Sequence, residues 1–178
     1  MPTNAKTKAK TAAARKTKTK IQRTRSEGMN AVELLKHDHR EVEEYFEEYE
    51  DLEGDAGKAE LSAKICQALK VHALIEEEIF YPAARESTRD DDLLDEAVVE
   101  HAGAKRLIAE IESMKIGDDL YDAKIRVLRE QIKHHVKEEE EELFPEVEDS
   151  KMDVVAVGKQ MAARKTQLMG QIGLVAAK

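Results

Sequence analysis

From Val32 onward, apolar side chains return at alternating steps of three and four: Val32, Leu35, Val42, Phe46 and Tyr49, with His39 falling between them. That period belongs to one face of an α-helix and predicts a first amphipathic helix. Asn30 followed three residues later by Glu33 forms a capping box, with Met29 and Leu34 at the staple positions, so the helix is expected to start at Asn30. Gly54-Asp55-Ala56-Gly57 breaks the pattern, and a second stripe follows: Leu61, Ile65, Ala68/Leu69, His72, Glu76 and Ile79. Pro82 is expected to end or kink that helix near Tyr81, with a polar loop from Arg85 to Asp92 after it. A third face carries Leu94, Ala97/Val98, His101, Ala104/Lys105, Ile108 and Ile111. Beyond Gly117-Asp118-Asp119, a fourth carries Ile125, Leu128, Ile132, His135, Glu139 and Leu143. Ser150 to Asp153 reads as another helix start, and Val154, Val157, Met161, Lys165/Leu168 and Ile172 predict a fifth amphipathic helix, expected to pack across the end of the others or to meet a partner.

Composition agrees with an all-α reading. Charged residues make up 38% of the 178, aromatics 4%, with no Trp and three Pro, which disfavours a sandwich or barrel. The single cysteine, Cys66, cannot close an intramolecular disulfide and reads as a small packed residue. The N-terminus lacks the apolar run of a secretory signal, and no segment approaches the length of a membrane span, so a cytoplasmic protein without membrane contact is expected. Charge is split unevenly. Lys6, Lys8, Lys10, Arg15, Lys16, Lys18, Lys20, Arg23 and Arg25 put nine of the 29 basic residues into positions 1–26 with no acid, leaving 20 basic against 38 acidic, a net −18, for the rest. The expected organisation is a disordered basic tail over 1–28, a helical bundle over 29–148 and a C-terminal amphipathic helix over 149–178.

The stripes also carry chemistry. His72-x3-Glu76 recurs as His135-x3-Glu139, each followed by a proline, Pro82 or Pro145, six residues after the glutamate. Residues four apart lie one turn apart on the same helical face, so each copy aims an imidazole and a carboxylate at one spot. Each copy is preceded by a histidine that follows an acid, Asp38-His39 and Glu100-His101. His37 and His134 fall off the stripes. In the acidic run Glu138 to Glu142, alignment of the two copies through their prolines favours Glu139 as the inward residue, with Glu140 and Glu142 as competitors. Burying four imidazoles and two carboxylates without compensation would cost several kcal/mol for the carboxylates alone, so cations are expected among them. Imidazole and carboxylate without thiolate suit iron or manganese. Six ligands fit two ions, with Glu76 and Glu139 bridging, two histidines on each ion, and room for an oxo or hydroxo bridge and a small molecule.

With these motifs in this order, residues 30–146 resemble the hemerythrin-like (HHE cation-binding) domain family. The resemblance implies an antiparallel up-down four-helix bundle around a non-haem di-iron centre, with His39, His72, Glu76, His101, His135 and Glu139 as ligands. Oxygen-carrying members have a further histidine one turn after the third-helix histidine, where this chain has Lys105. The resemblance therefore points away from reversible oxygen carriage, toward binding or turnover of oxygen, peroxide or nitric oxide by a monomer or weak homo-oligomer in a stress response. Lys105 is expected either to extend outward along its stem or to stand near the centre as a proton donor. An iron or oxygen sensor signalling through the tail or fifth helix, and a nucleic-acid-associated protein, are the alternatives. The basic tail is the support for the last, because such a run binds polyanions by counterion release; otherwise it is a solubilising segment.

Overall fold

The computed structural model describes residues 28–88 and 91–175, with residues 172–175 in backbone only, so the basic residues of positions 1–26 and the Ile172 side chain lie outside the described residues. The described residues are helical throughout, joined by turns. In chain order the elements are α1 (Ala31–Asp51), α2 (Asp55–Ile75), a π-helical turn π1 (Glu76–Phe80), α3 (Tyr81–Ser87), α4 (Asp91–Ser113), α5 (Tyr121–Glu138), a second π-helical turn π2 (Glu139–Leu143), α6 (Phe144–Asp149) and α7 (Val154–Val175). No described helix is long and apolar enough to cross a membrane.

The start of α1 follows the sequence. The Asn30 side chain accepts from the Glu33 amide at 2.9 Å and the Glu33 carboxylate accepts from the Asn30 amide at 3.0 Å, closing the capping box. The break before α2 is shorter than the glycine pair suggests. Gly54, in the left-handed region at φ 97°, makes the turn alone, and α2 begins at Asp55.

Neither proline ends its helix. At each one the backbone widens: the Tyr81 amide donates to the Glu76 carbonyl and the Phe144 amide to the Glu139 carbonyl, five residues back rather than four. A proline inside a helix lacks an amide hydrogen and its ring crowds the carbonyl four residues back, and a π turn loosens the coil where that conflict falls. The helical path then continues to Ser87 and to Asp149. The extra residue in the turn shifts the inward face by one. Phe80 and Tyr81 are buried, where a regular helix would have carried Ile79 inward.

Side-chain pairings fix how the long helices run. Tyr49 near the end of α1 meets Asp122 at the start of α5, and Arg40 at the middle of α1 meets Glu140 just beyond the end of α5, so α1 and α5 run in opposite directions. Lys70 with Glu112 and Glu77 with Lys105 do the same for α2 and α4. The apolar interior is in two parts. One holds Leu34, Leu35, Ile75, Phe80, Leu94, Phe144 and Met161, the other Val42, Phe46, Ile65, Leu69, Ile108 and Leu128. In every long helix except α7 the histidines and glutamates of the stripes fall between the two parts.

The fifth amphipathic helix lies along the flank of α1 and α2 rather than across an end. Val157, Met161, Ala162 and Leu168 join the first apolar cluster, which is why Ala31, Leu34 and Asp38 of α1 are buried although they lie beside its main stripe. The approach is close: a Cβ on Gly158 would stand 2.6 Å from the Ala31 amide nitrogen and from the Asn30 carbonyl carbon, so only glycine fits.

Candidate metal centre

Each His-x3-Glu pair is set on one face by the last α-helical turn before a π turn. The Glu76 amide still bonds to the His72 carbonyl, and Glu139 to His135, which keeps each imidazole and carboxylate one turn apart. The structure brings all six candidate residues to one layer, and all six are buried: His39, His72, Glu76, His101, His135 and Glu139.

Their geometry is that of two facing pairs. His39 and His72 bring their Nε2 atoms to 3.1 Å, and His101 and His135 do the same at 3.1 Å. The carboxylates lie across both pairs. Glu76 stands 3.1 Å from His72 through Oε1 and 3.4 Å from His101 through Oε2. Glu139 places Oε2 3.3 Å from His39 and 3.5 Å from His135. Two sets of converging donors result, one of His39, His72, Glu76 and Glu139, the other centred on Glu76, His101 and His135.

Behind each imidazole stands a further carboxylate. Glu140 Oε1 is 2.9 Å from His39 Nδ1, Glu77 Oε1 is 3.0 Å from His101 Nδ1, and Glu100 Oε2 is 2.8 Å from His135 Nδ1. Asp38 Oδ2 lies 3.6 Å from His72 Nδ1, an electrostatic contact longer than a hydrogen bond. A carboxylate at Nδ1 accepts a hydrogen bond from the Nδ1–H and so keeps the proton there, leaving the Nε2 lone pair pointing inward, the tautomer a metal requires. The arrangement crosses the repeat: each acid before the first histidine serves its own half, and each glutamate after the inward one serves the other half. The sequence motifs contain Asp38, Glu100 and Glu140 without revealing this role for them or for Glu77. The doublets Glu76-Glu77 and Glu139-Glu140 were the available signal.

The three competitors in the acidic run separate cleanly. Glu139 reaches the centre, Glu140 supports His39 and pairs with Arg40, and Glu142 is exposed. His37 and His134 stay out of the layer, His134 with 60% of its side chain exposed. Lys105 takes the outward option: its Nζ contacts both Glu77 oxygens, at 2.6 and 2.5 Å, and so acts on His101 through that carboxylate. Tyr81, unassigned by sequence, is buried and donates its hydroxyl to Glu139 Oε1 at 2.9 Å. The π turn delivers it there.

Electrostatics match a site short of positive charge. Burial would raise Glu76, yet the facing His72 and His101 hold it well below the usual carboxylate range. Burial opposes charging of His72, but Glu76 and Asp38 outweigh it and lift it to about 10; Glu139 and Glu100 lift His135 to about 9 against the same opposition. The hydrogen bond to His39 brings Glu140 down to about 2. Burial and the Glu139 charge push the Tyr81 phenol well up, so it remains a donor. Even so, both oxygens of Glu76, Oε2 of Glu139 and Nδ1 of His72 are buried without a hydrogen-bond partner. Buried carboxylate oxygens left unsatisfied are costly, and cations at the two foci would satisfy them. The residues fit such ions.

A small cavity of about 20 Å³ touches all four ring histidines and is closed by Val42, Leu69 and Ile108. It admits a molecule the size of water.

Comparison with known proteins agrees with this chemistry. The chain matches the family model for the hemerythrin HHE cation binding domain over residues 30–147. A curated relative, the DNA nickase of a Nostoc species, is 27% identical over 122 residues, which cover 68% of this chain and 34% of that protein. The chain thus spans about a third of that relative's length. Among solved structures, a hemerythrin HHE cation binding domain-containing protein from Mycobacterium kansasii superposes with a TM-score of 0.70 at 21% identity, covering 80% of this chain and 89% of that one. At that identity the likeness concerns the fold.

Proposed function

We propose, for a chain that belongs to the hemerythrin HHE cation-binding domain family, that residues 29–148 form an antiparallel up-down four-helix bundle of α1, α2, α4 and α5 holding two iron ions, with manganese as the competing metal. His39 and His72 would hold one ion and His101 and His135 the other, with Glu76 and Glu139 placed to serve both. One observation carries this reading: two wholly buried carboxylates lie between two pairs of inward-facing imidazoles, with both Glu76 oxygens unpartnered. The bundle supports it through the opposed directions of α1 and α5 and of α2 and α4.

The protein on this reading binds or turns over oxygen, peroxide or nitric oxide, in a cytoplasmic stress response. When bound, redox-active ions supply the electron exchange with such ligands. The chain's own residues do the rest. The 20 Å³ cavity limits the ligand to a few atoms and walls it with apolar side chains. The Tyr81 hydroxyl holds a proton at Glu139, one bond from the centre. Lys105 is drawn to Glu77 and offers no imidazole, which supports turnover over reversible carriage. The test is the purified protein's metal content and visible spectrum, followed by its rate of peroxide consumption. Iron with an oxo-bridge absorption band and catalase- or peroxidase-like loss of peroxide is expected. Iron without peroxide loss favours the sensor alternative, and zinc or no metal contradicts the reading.

A second reading rests on the nine basic, acid-free residues among positions 1–26 and on the likeness to a DNA nickase: the tail binds nucleic acid without sequence preference. Binding should weaken steeply with salt and vanish when residues 1–26 are deleted, because the remaining −18 repels phosphate. Equal affinity with and without the tail would remove it.

A further inference from the structure

The two halves of the centre are chemically matched but not equally covered. Superposing the repeat sets Asp38, Val42 and Leu69 on Glu100, Ala104 and Ile132, and a cavity lies at this level on both sides. On the α4/α5 side it has a volume of about 170 Å³, and its lining includes the rings of His101 and His135. It shares His101, Ala104, Ile132 and His135 with the small inner cavity, so these side chains alone stand between the two. On the α1/α2 side the matching space is larger, about 390 Å³, but α7 forms its outer wall with Lys165, Thr166 and Met169, and neither His39 nor His72 lines it. It shares only Asp38 and Val42 with the inner cavity, and Asp38 is buried and paired to Lys165. Glu100, in the equivalent place, keeps 22% of its side chain exposed.

We propose that the centre is entered from one side only: the cavity between α4 and α5 is the port for metal ions and small ligands, and α7 plugs the equivalent port between α1 and α2. The ion at His101 and His135 is the exchangeable one, and the ion at His39 and His72 is retained. Three features favour entry here. Gly103 lines the port without a side chain, and a Cβ there would meet nothing within 4 Å. Glu100 at the mouth is part-exposed and, with Glu138, faces the exposed His134, so carboxylate oxygens stand where a cation would enter. Lys105, one turn after His101, is turned out to Glu77, so it would offer no ligand to an ion held at His101 and His135.

The proposal rests on the two-ion reading, and one experiment separates the two. Ferrous ion is loaded without oxygen and counted per chain, an excess of a ferrous chelator is added, and the coloured chelate is followed in time. Wild type should release iron in two phases of equal amplitude. Gly103→Leu, which fills the port while replacing a helix-interior glycine by a good helix former, should slow the fast phase by about tenfold or more and leave the slow phase unchanged. Gly103→Ala, too short to block, should change neither. Lys165→Ala combined with Met169→Ala, which thins the plug, should accelerate the slow phase alone. A loaded Gly103→Leu protein with both phases at wild-type rates, or a double variant that accelerates only the fast phase, overturns the port. A wild-type count below two ions overturns the two-ion reading itself.

Discussion

Across the centre, the α1/α2 half and the α4/α5 half present the same chemistry, two histidines and one glutamate each, in different surroundings. Asp38 is buried beneath α7 and shared between His72 and Lys165, while Glu100 is part-exposed, bonded to His135 and faced by the exposed His134. A repeat of ligands therefore does not make a repeat of sites. What covers the outer carboxylate decides how freely each half exchanges with solvent, and the cover comes from a helix more than a hundred residues away in sequence.

The largest effect is expected where the halves share a group. Replacing Glu76 or Glu139 by Ala should empty both positions, since each carboxylate serves both pairs. Each ion present at about a hundred to a thousand times its dissociation constant contributes roughly 3–4 kcal/mol, so losing both removes about 5–8 kcal/mol. At about 2–4 °C per kcal/mol for a chain of this size, the melting temperature of loaded protein should fall by about 10–30 °C. Glu76→Gln in protein stripped of metal should cost less, because there it removes only the pairing of the carboxylate with His72 and His101 and not the ions. Calorimetry with and without chelator reads both losses; destabilisation of equal size in both states would mean Glu76 is structural.

Next come the groups that differ between halves. Glu100→Ala should weaken metal binding by about 10–100-fold at one position, the usual cost of losing a carboxylate behind a ligating imidazole, and leave the fold intact. Asp38→Ala should lower metal affinity and also loosen α7, because Lys165 loses its partner. Hydrogen exchange in α7 distinguishes the two variants. Equal exchange in both would make the halves equivalent.

Gly158→Ala should cost about 1–3 kcal/mol through forced separation of α7 from α1, since the added methyl meets backbone atoms that cannot give way. The loss should appear in thermal melting and in faster chelation of the retained ion, with the α4/α5 half untouched.

The smallest effect lies away from the centre, where α1, α2 and α5 meet. Asp122 accepts hydrogen bonds from Lys58 Nζ at 2.9 Å and from the Tyr49 hydroxyl at 2.7 Å, and these hold its carboxyl below its ordinary value of 3.8. A depressed carboxyl contributes stability that is complete above its unfolded value and is lost as pH falls below it. Asp122→Asn should therefore lower stability slightly at neutral pH, where that contribution is complete, and converge with wild type well below pH 3.8, giving a flatter acid decline. An effect on metal content would contradict its independence from the centre.

Much of this was legible in the chain. The α1 stripe, the Asn30 cap and the inward set of histidines and glutamates appear in the structure where the 3.6-residue period puts them. What the period could not carry was anything set by another helix or by a change of helix type. Leu34 and Asp38 are buried because α7 lies over them. Phe80 and Tyr81 displace Ile79 because π1 adds a residue to the turn. Glu77 and Glu140 look like solvated acids until the opposite half is in place. Lys105 could have turned either way, and the carboxylate that draws it out belongs to another helix.

The central claim is that two ions lie between the halves on shared carboxylates, and an anaerobic equilibrium titration with ferrous ion tests it most directly. Wild type should saturate at two equivalents per chain, His135→Ala should retain the α1/α2 position, and Glu76→Ala should fall close to zero. Saturation of wild type at one equivalent, or a Glu76→Ala protein that still binds two, would contradict it.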